Sequence, residues 1–324
     1  MLSEHSAGMV TASTFLVYVD AVTRESESVQ TYVLRLPSGD PMPAFHPGAH
    51  IDIHLDNGLV RSYSLINSTG EQDRYVIAVD EALQSRGGSR WISEQVTAGD
   101  VLRISQPKNL FPLQESAPHS VLIAGGIGIT PLLSMARYLE EKCGSWELHY
   151  CARNQERAVF QQELLTAKRW GTVSLHFSEV QGHRDLRAIV SAAPDRAHFY
   201  CCGPSSMLDA FLSATENIEQ ERVHIERFSG AESVRDGAFD LILAKSRRVL
   251  RVMPGETALE RLMREGFEIP NSCGEGVCGS CEVRLLAGKA DHRDMILTDD
   301  EKADNTSVFV CCSGSLTPSL TLDL

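Results

Sequence analysis

Four cysteines constrain this chain more than any other feature. Cys273-x4-Cys278-x2-Cys281 is followed, after 29 intervening residues, by Cys311. Thiolates at this spacing can surround a two-iron cluster from one loop, with the fourth ligand arriving from a distant strand. Gly274, Gly276 and Gly279 let such a loop bend and aim N–H groups at anionic sulfurs. Zinc is the competing reading, but it usually takes two separated, short-spaced Cys/His pairs, and here Cys311 and Cys312 are adjacent. Neighbours on a strand face opposite sides, so only one of those two can ligate, and the spacing does not choose between them. Of the nine cysteines, Cys143, Cys151, Cys201 and Cys202 are scattered, while the other five crowd the last 52 residues. That clustering indicates metal chemistry rather than a disulfide framework.

The rest of the chain has to accommodate that loop. Its 324 residues suit two or three domains. At 43% apolar and 23% charged it has a globular composition, which excludes disorder and disulfide miniproteins. A formal charge of −13 repels phosphate backbones and anionic lipid, so no nucleic-acid or membrane partner is expected. The first 20 residues show no secretory signal. Residues 116–136 lack charge, yet Pro118, Gly125, Gly126, Gly128 and Pro131 interrupt them, so they read as strand, turn and helix start rather than a membrane span. A cytoplasmic location is expected.

The patterning changes twice. Residues 1–113 carry short strand-like runs (FLVYV, TYVLRL, HIDIHL, YSLI, YVIAV, VLRIS) separated by turn residues, which predicts a small antiparallel β-barrel with one helix, RWISEQV. Residues 114–228 alternate buried strands with helical patterns, including PLLSMARYLEEK with Pro131 as its first residue and AVFQQELLTAKRW. That alternation predicts an α/β domain with a parallel sheet. A polar linker at 229–237 leads to residues 238–324, where a hairpin-like strand pair precedes a capping box opening at Thr257.

Two further segments carry binding chemistry. In Arg61-Ser62-Tyr63-Ser64 an Arg suits a phosphate, an aromatic suits an isoalloxazine or ribityl, and a hydroxyl suits a flavin ring nitrogen. Taken alone, the tetrapeptide also reads as a solvated strand face. Arg86-Gly87-Gly88-Ser89 precedes a helix, where N–H groups converge on anions. Gly125-Gly126-Ile127-Gly128-Ile129-Thr130-Pro131 is a Gly-rich strand-to-helix turn suited to a pyrophosphate, though it is neither a GxGxxG fingerprint nor a P-loop. Cys202-Gly203-Pro204 ends a strand at the carboxyl edge where ligands gather.

Together these segments resemble the phthalate dioxygenase reductase family, which includes vanillate demethylase reductases. NSCGEGVCGSCEV and ADHRDMIL are similar to a plant-type ferredoxin, and the resemblance runs from about residue 12 onward. It implies a multi-domain chain with a flavin-binding barrel, an α/β nicotinamide domain and an α+β, β-grasp-like ferredoxin domain. It implies Arg61, Tyr63 and Ser64 on the flavin, with Gly87, Gly88 and Ser89 around its phosphate, and the flavin as FMN. It implies Gly125, Gly126, Gly128, Thr130 and Pro131 for NADH, Cys202 and Gly203 beside the nicotinamide, and Cys201 facing the other side of the strand. Ser64 and Cys202 become the catalytic candidates, and Phe228 a neighbour of the flavin. Cys311, after Val308-Phe309-Val310, takes the fourth ligand position beside Cys273, Cys278 and Cys281.

The implied function is the reductase component of a Rieske-type oxygenase or demethylase. Hydride from NADH reaches the flavin, and single electrons pass through the [2Fe-2S] cluster to a terminal oxygenase in a transient contact. The alternatives are a reductase for another acceptor, such as a cytochrome, and a redox-sensing electron carrier. Arg153 is a candidate cation for a 2′-phosphate, but the relatives imply NADH. Between Cys273 and Leu324 nine acidic residues outweigh four basic ones, which suits a basic docking partner. His50, Asp52 and His54 alternate on one strand, and read as the solvated outside of the barrel rather than a metal site. Asp291-His292-Arg293-Asp294 reads as a structural or docking segment.

Overall fold

A computed structural model describes residues 14–55, 59–81, 88–166, 168–228, 237–271, 274 and 276–324. The chain divides into two compact units, residues 1–200 with 217–224, and residues 201–216 with 225–324.

The first unit opens with six strands, β1 (Thr14–Arg24), β2 (Val29–Arg35), β3 (His50–His54), β4 (Val60–Ser64), β5 (Tyr75–Asp80) and β6 (Val101–Ser105). They form an antiparallel sheet in the order β4-β3-β6-β1-β2-β5. A bridge between Leu65 and Ile77 joins its two edges, and the Ile66 N–H donates to the Val76 carbonyl at 2.9 Å. Closure leaves no free edge to aggregate. Alternate residues (Val17, Val19, Tyr32, Leu34, Ile51, Ile53, Ile77) fill the interior. The helix Gly88–Gln95 adds Ile92, fully buried, to the same core.

The polar trio on β3 departs from expectation. His50 and Asp52 are buried, 6% and 1% exposed, and His54 is half-buried. The physical reason is that β3 lies between β4 and β6, and neighbouring polar groups cover its second face. Asp52 accepts from Ser62 Oγ at 2.6 Å and pairs with Lys108 Nζ at 2.5 Å, while its N–H donates to Ser105 Oγ at 3.0 Å. Burial holds the His50 imidazole below its ordinary pKa, with the Asp52 charge opposing. The arrangement is an internal ion pair, not a solvated face.

β7 (Ser120–Gly125), β8 (Trp146–Ala152), β9 (Gly171–Phe177), β10 (His198–Cys202) and β11 (Val223–Glu226) form a second sheet in the order β11-β10-β7-β8-β9. β7 pairs with β8, and β8 with β9, in parallel. Every residue of β7 is buried, as its unbroken apolar run requires. The following helix begins at Ile129, two residues earlier than expected, after a 3-10 turn at Gly126–Gly128. Pro131 is tolerated there because first-turn N–H groups have no intrahelical partner. The helix expected over 158–170 is only Gln161–Leu165. Phe160 at its N-cap is left-handed (φ 62°) and Thr166 at its C-cap is extended (ψ 142°), so neither end can propagate.

In the second unit β12 (Phe239–Leu243), β13 (Arg248–Val252), β14 (Glu282–Ala287), β15 (Ala290–Asp291), β16 (Ser307–Phe309), β17 (Gly314–Ser315) and β18 (Ser319–Leu322) follow. The main sheet runs β13-β12-β18-β14-β16, with β12 and β18 parallel and β12 and β13 a hairpin. The expected capping box is present: Thr257 Oγ1 accepts from Glu260 N–H, and the Glu260 carboxylate accepts from Thr257 N–H, opening the helix Ala258–Arg264. Leu259 and Leu262 of that helix pack on Leu241, Leu250 and Val283, in a core that also holds Cys281, Cys311 and Cys312.

Replacing Asp52 by Ala strands the Lys108 ammonium and the Ser62 hydroxyl. Lys108 is partly solvated, so the expected cost is about 2 kcal/mol rather than the full penalty of an orphaned buried charge. Urea unfolding of the two proteins measures it, and an unchanged midpoint would mean that the pair contributes nothing.

Candidate functional site

The cysteine loop lies between the helix Ala258–Arg264 and β14. Cys273 is outside the described residues. Cys278 is half-buried, and Cys281 and Cys311 are buried, 2% and 1% exposed. Among the described residues no disulfide joins two cysteines. Gly274, Gly276 and Gly279 take φ of 68°, 73° and 77°, so the chain coils left-handedly between the sulfurs. At Gly276 there is also no space: a Cβ would lie 2.4 Å from Cys312 Sγ and 3.1 Å from Asp294 Cα. Among the described residues no three His, Cys, Asp or Glu side chains are gathered closely enough to hold an ion. The donor set, three thiols here and Cys273 beyond, still suits a two-iron cluster by chemistry and spacing.

Cys311 and Cys312 do not sit on a strand, because β16 ends at Phe309 and residues 310–312 form a turn. Strand alternation therefore cannot separate them. In that turn Cys312 N–H donates to the Phe309 carbonyl at 3.3 Å, and its Sγ lies 3.7 Å from the same oxygen.

On β4, Arg61 and Tyr63 pair with Ile53 and Ile51, on the face that meets the barrel core, while Ser62 and Ser64 pair with Asp52 and His50 on the other. Gly88 lies against Arg61, where a Cβ would be 2.4 Å from Nε, and Tyr63 Oη is 3.1 Å from Ser89 Oγ. Strand and helix start thus bring Arg61, Tyr63, Gly88 and Ser89 together; Gly87 lies outside the described residues. Ser64 Oγ is buried and has no hydrogen-bond partner among the described residues. A guanidinium beside helix N–H groups and an orphaned hydroxyl on the adjoining strand residue fit a flavin mononucleotide.

Gly125 ends β7, Gly126 is left-handed (φ 56°), and Thr130 Oγ1 donates to the Ile127 carbonyl at 3.0 Å, tying the turn to the helix that Pro131 continues. Gly128 is buried within this turn. The open backbone at Gly126, with nothing within 4 Å of a Cβ, suits a pyrophosphate. Arg153, just beyond β8, is not a free cation: its Nε pairs with Glu179 Oε1 at 2.8 Å, and Asn154 Nδ2 donates to the same carboxylate.

Cys201 and Cys202 end β10, both fully buried, with Gly203 next. Phe228 follows β11 and is 41% exposed. Sequence reasoning gave no role to Glu226, the last residue of β11. Burial pushes its carboxyl up to about 8, and Oε2 has no partner among the described residues. Burial, reinforced by the charge of Glu226, pushes the Cys202 thiol well above its usual range. Two neighbouring acids thus stay protonated at neutral pH. Only the local environment reveals this; a Glu closing a short strand carries no such signal in the sequence.

Fold and site define an oxidoreductase that joins nicotinamide binding to an iron–sulfur domain. Residues 122–212 match the oxidoreductase NAD-binding domain, and residues 241–314 the 2Fe-2S iron–sulfur cluster binding domain. The chain is 46% identical to phenoxybenzoate dioxygenase subunit beta of Ectopseudomonas oleovorans, over 94% of this chain and 96% of that one. It is 44% identical to tetrachlorobenzoquinone reductase of Sphingobium chlorophenolicum, over 96% and 98%. The solved structure of phthalate dioxygenase reductase, described as modular electron transfer from pyridine nucleotides to [2Fe-2S], superposes with a TM-score of 0.85 at 34% identity, covering 96% of this chain and 98% of that one. The chain belongs to the phthalate dioxygenase reductase family.

Glu226 makes stability depend on pH. Unfolded, its carboxyl releases a proton near 4.5; folded, it holds the proton to about 8. Between those values the native state binds more protons, so stability falls as pH rises. In Glu226→Gln the decline in Tm between pH 5 and pH 8.5 should be shallower than in the wild type. Parallel Tm profiles would show that Glu226 ionises normally.

Proposed function

We propose that this chain is the reductase component of a multicomponent Rieske-type oxygenase or demethylase. It carries electrons from NADH through FMN and a [2Fe-2S] cluster to a separate oxygenase component in a transient contact. The observation that carries the reading is the conjunction, in one chain, of an NAD-binding sheet, a phosphate-and-flavin constellation on a closed barrel, and the cysteine loop. When bound, FMN accepts hydride as an electron pair and releases single electrons, and the cluster accepts them one at a time.

The chain's own residues bind and orient. Arg61, with the N–H groups and hydroxyl at Gly88 and Ser89 and the adjoining Gly87, holds the flavin phosphate. Tyr63 would lie along the flavin, and Ser64, whose hydroxyl has no partner among the described residues, would offer it to a ring nitrogen. Gly125, Gly126, Gly128, Thr130 and Pro131 would form the pyrophosphate turn, Cys202 and Gly203 would hold the nicotinamide, and Phe228 would serve the flavin. Protonated Cys202 and Glu226 would put no fixed negative charge beside the nicotinamide. The Arg153–Glu179 pair favours NADH, since a 2′-phosphate would meet the Glu179 carboxylate. Cys273, Cys278, Cys281 and Cys311 hold the cluster. The corresponding division is a flavin barrel at 1–113, a nicotinamide domain at 114–228, a linker at 229–237 and a ferredoxin domain at 238–324. No helix among the described residues is long and apolar enough to cross a membrane, and we place the protein in the cytoplasm.

The 44% identity to a tetrachlorobenzoquinone reductase favours a second reading, in which the acceptor is a quinone rather than a protein. Turnover of a substituted benzoquinone faster than that of any oxygenase component would select it.

The purified protein should contain one FMN and one two-iron cluster per chain. Cys311→Ser should lose the cluster's iron and electron delivery to cytochrome c, yet retain NADH oxidation by ferricyanide. Cys312→Ser should keep its iron. The reverse pattern in iron content would exchange the ligand assignments, and FAD in the acid extract would remove FMN.

A further inference from the structure

The segment following β15 is built to present two apolar side chains. Asp294 is buried, 1% exposed, and its carboxylate accepts from the N–H groups of Leu297 (2.9 Å) and Ile296 (3.3 Å). Lys302 Nζ donates to the Asp294 carbonyl at 2.9 Å. The turn is therefore pinned from both sides, and it leaves Met295 and Ile296 43% and 44% exposed. Unlike the exposed Val249 or Leu316, Met295 is tied to the cysteine loop, since its N–H donates to the Gly276 carbonyl at 2.9 Å. Asp294 Cα fills the space where a Gly276 side chain would be.

Acidic residues follow the pair in the chain. Asp299, Asp300, Glu301 and Asp304 are exposed, and the nearest cation in that run, Lys302, is turned inward. Arg293 is likewise committed to Asp291, with Nε 2.7 Å from its carboxylate. An apolar spot of two exposed side chains followed by exposed carboxylates is complementary to a basic surface with an apolar centre.

We propose that Met295 and Ile296 anchor the exit surface of the cluster, the place where a basic protein acceptor with an apolar electron-entry port docks. This rests on the reading that electrons leave the chain through the cluster. In the docked pair one electron would pass from the reduced cluster to the oxidised one-electron centre of the oxygenase component. That centre would gain the electron, the cluster would return to its oxidised state, and no bond or proton would change place. The apolar pair supplies the short-range contact, and the carboxylates supply steering, which salt weakens once the Debye length falls to about 10 Å at 0.1 M.

The test uses the full-length holoprotein, reduced by dithionite and desalted, mixed in stopped flow with ferricytochrome c as the basic haem probe. Met295→Ser/Ile296→Ser should lower the second-order rate constant about tenfold. Its visible cluster spectrum and its rate with ferricyanide, a small anion that needs no apolar dock, should be unchanged. Asp299→Asn/Asp300→Asn, which alters no buried group, should lower the rate about threefold at low salt and flatten its salt dependence. A wild-type rate in the Met295/Ile296 variant would overturn the anchor, and a wild-type salt dependence in the second variant would overturn the acidic border. Because dithionite supplies the electron, a failure of NADH to reduce the cluster would count against the proposed function alone.

Discussion

The close approach of the cysteine loop to the turns beside it governs how the second unit is built. Gly276 has a left-handed backbone and no room for a single methyl group, with Cys312 Sγ on one side and Asp294 Cα on the other. A side chain at this position would force the loop away from Cys312 and Asp294, so only glycine lets the backbone pass here. The hydrophobic core of the same unit takes in Cys281, Cys311 and Cys312, so the backbone that bears these cysteines is held by ordinary apolar packing. Cys312 belongs to that packing: it fills the space against the glycine and hydrogen-bonds back to its own turn.

Charge is handled differently at each functional position. At the start of the helix Gly88–Gln95, Arg61 is brought against the backbone, where we propose a phosphate site. At the ends of β10 and β11, Cys202 and Glu226 are buried deeply enough to remain neutral. Inside the barrel wall, the buried Asp52 carboxylate is paired with Lys108 Nζ and accepts from the Ser62 hydroxyl. The three outcomes follow from one rule, that a buried ionisable group is either paired or discharged.

The sequence made the order of the three sheets readable, because hydrophobic periodicity and turn residues are local signals. β7 declares itself by an unbroken apolar run, and the Thr257 box by two residues three apart. What was not readable depends on neighbours distant in sequence. His50 and Asp52 look solvent-facing by alternation, but β6 and Lys108, more than 45 residues away, cover them. The helix at 161–165 is shorter than its apolar spacing suggests because Phe160 adopts a left-handed conformation that no composition rule anticipates. Likewise the Cys311–Cys312 pair looks like a strand end, yet the chain turns at Val310, so strand alternation does not apply to the two sulfurs. Arg153 looked available for a phosphate until the ion pair with Glu179 occupied it.

The central claim is that electrons from a nicotinamide reach the iron–sulfur end of this chain. Anaerobic titration of the holoprotein with NADH, followed by low-temperature electron paramagnetic resonance, tests it directly. The account predicts that the spin signal of a reduced two-iron cluster grows with added NADH and approaches one spin per chain. Bleaching of the flavin absorbance with no cluster signal at any NADH excess would contradict it.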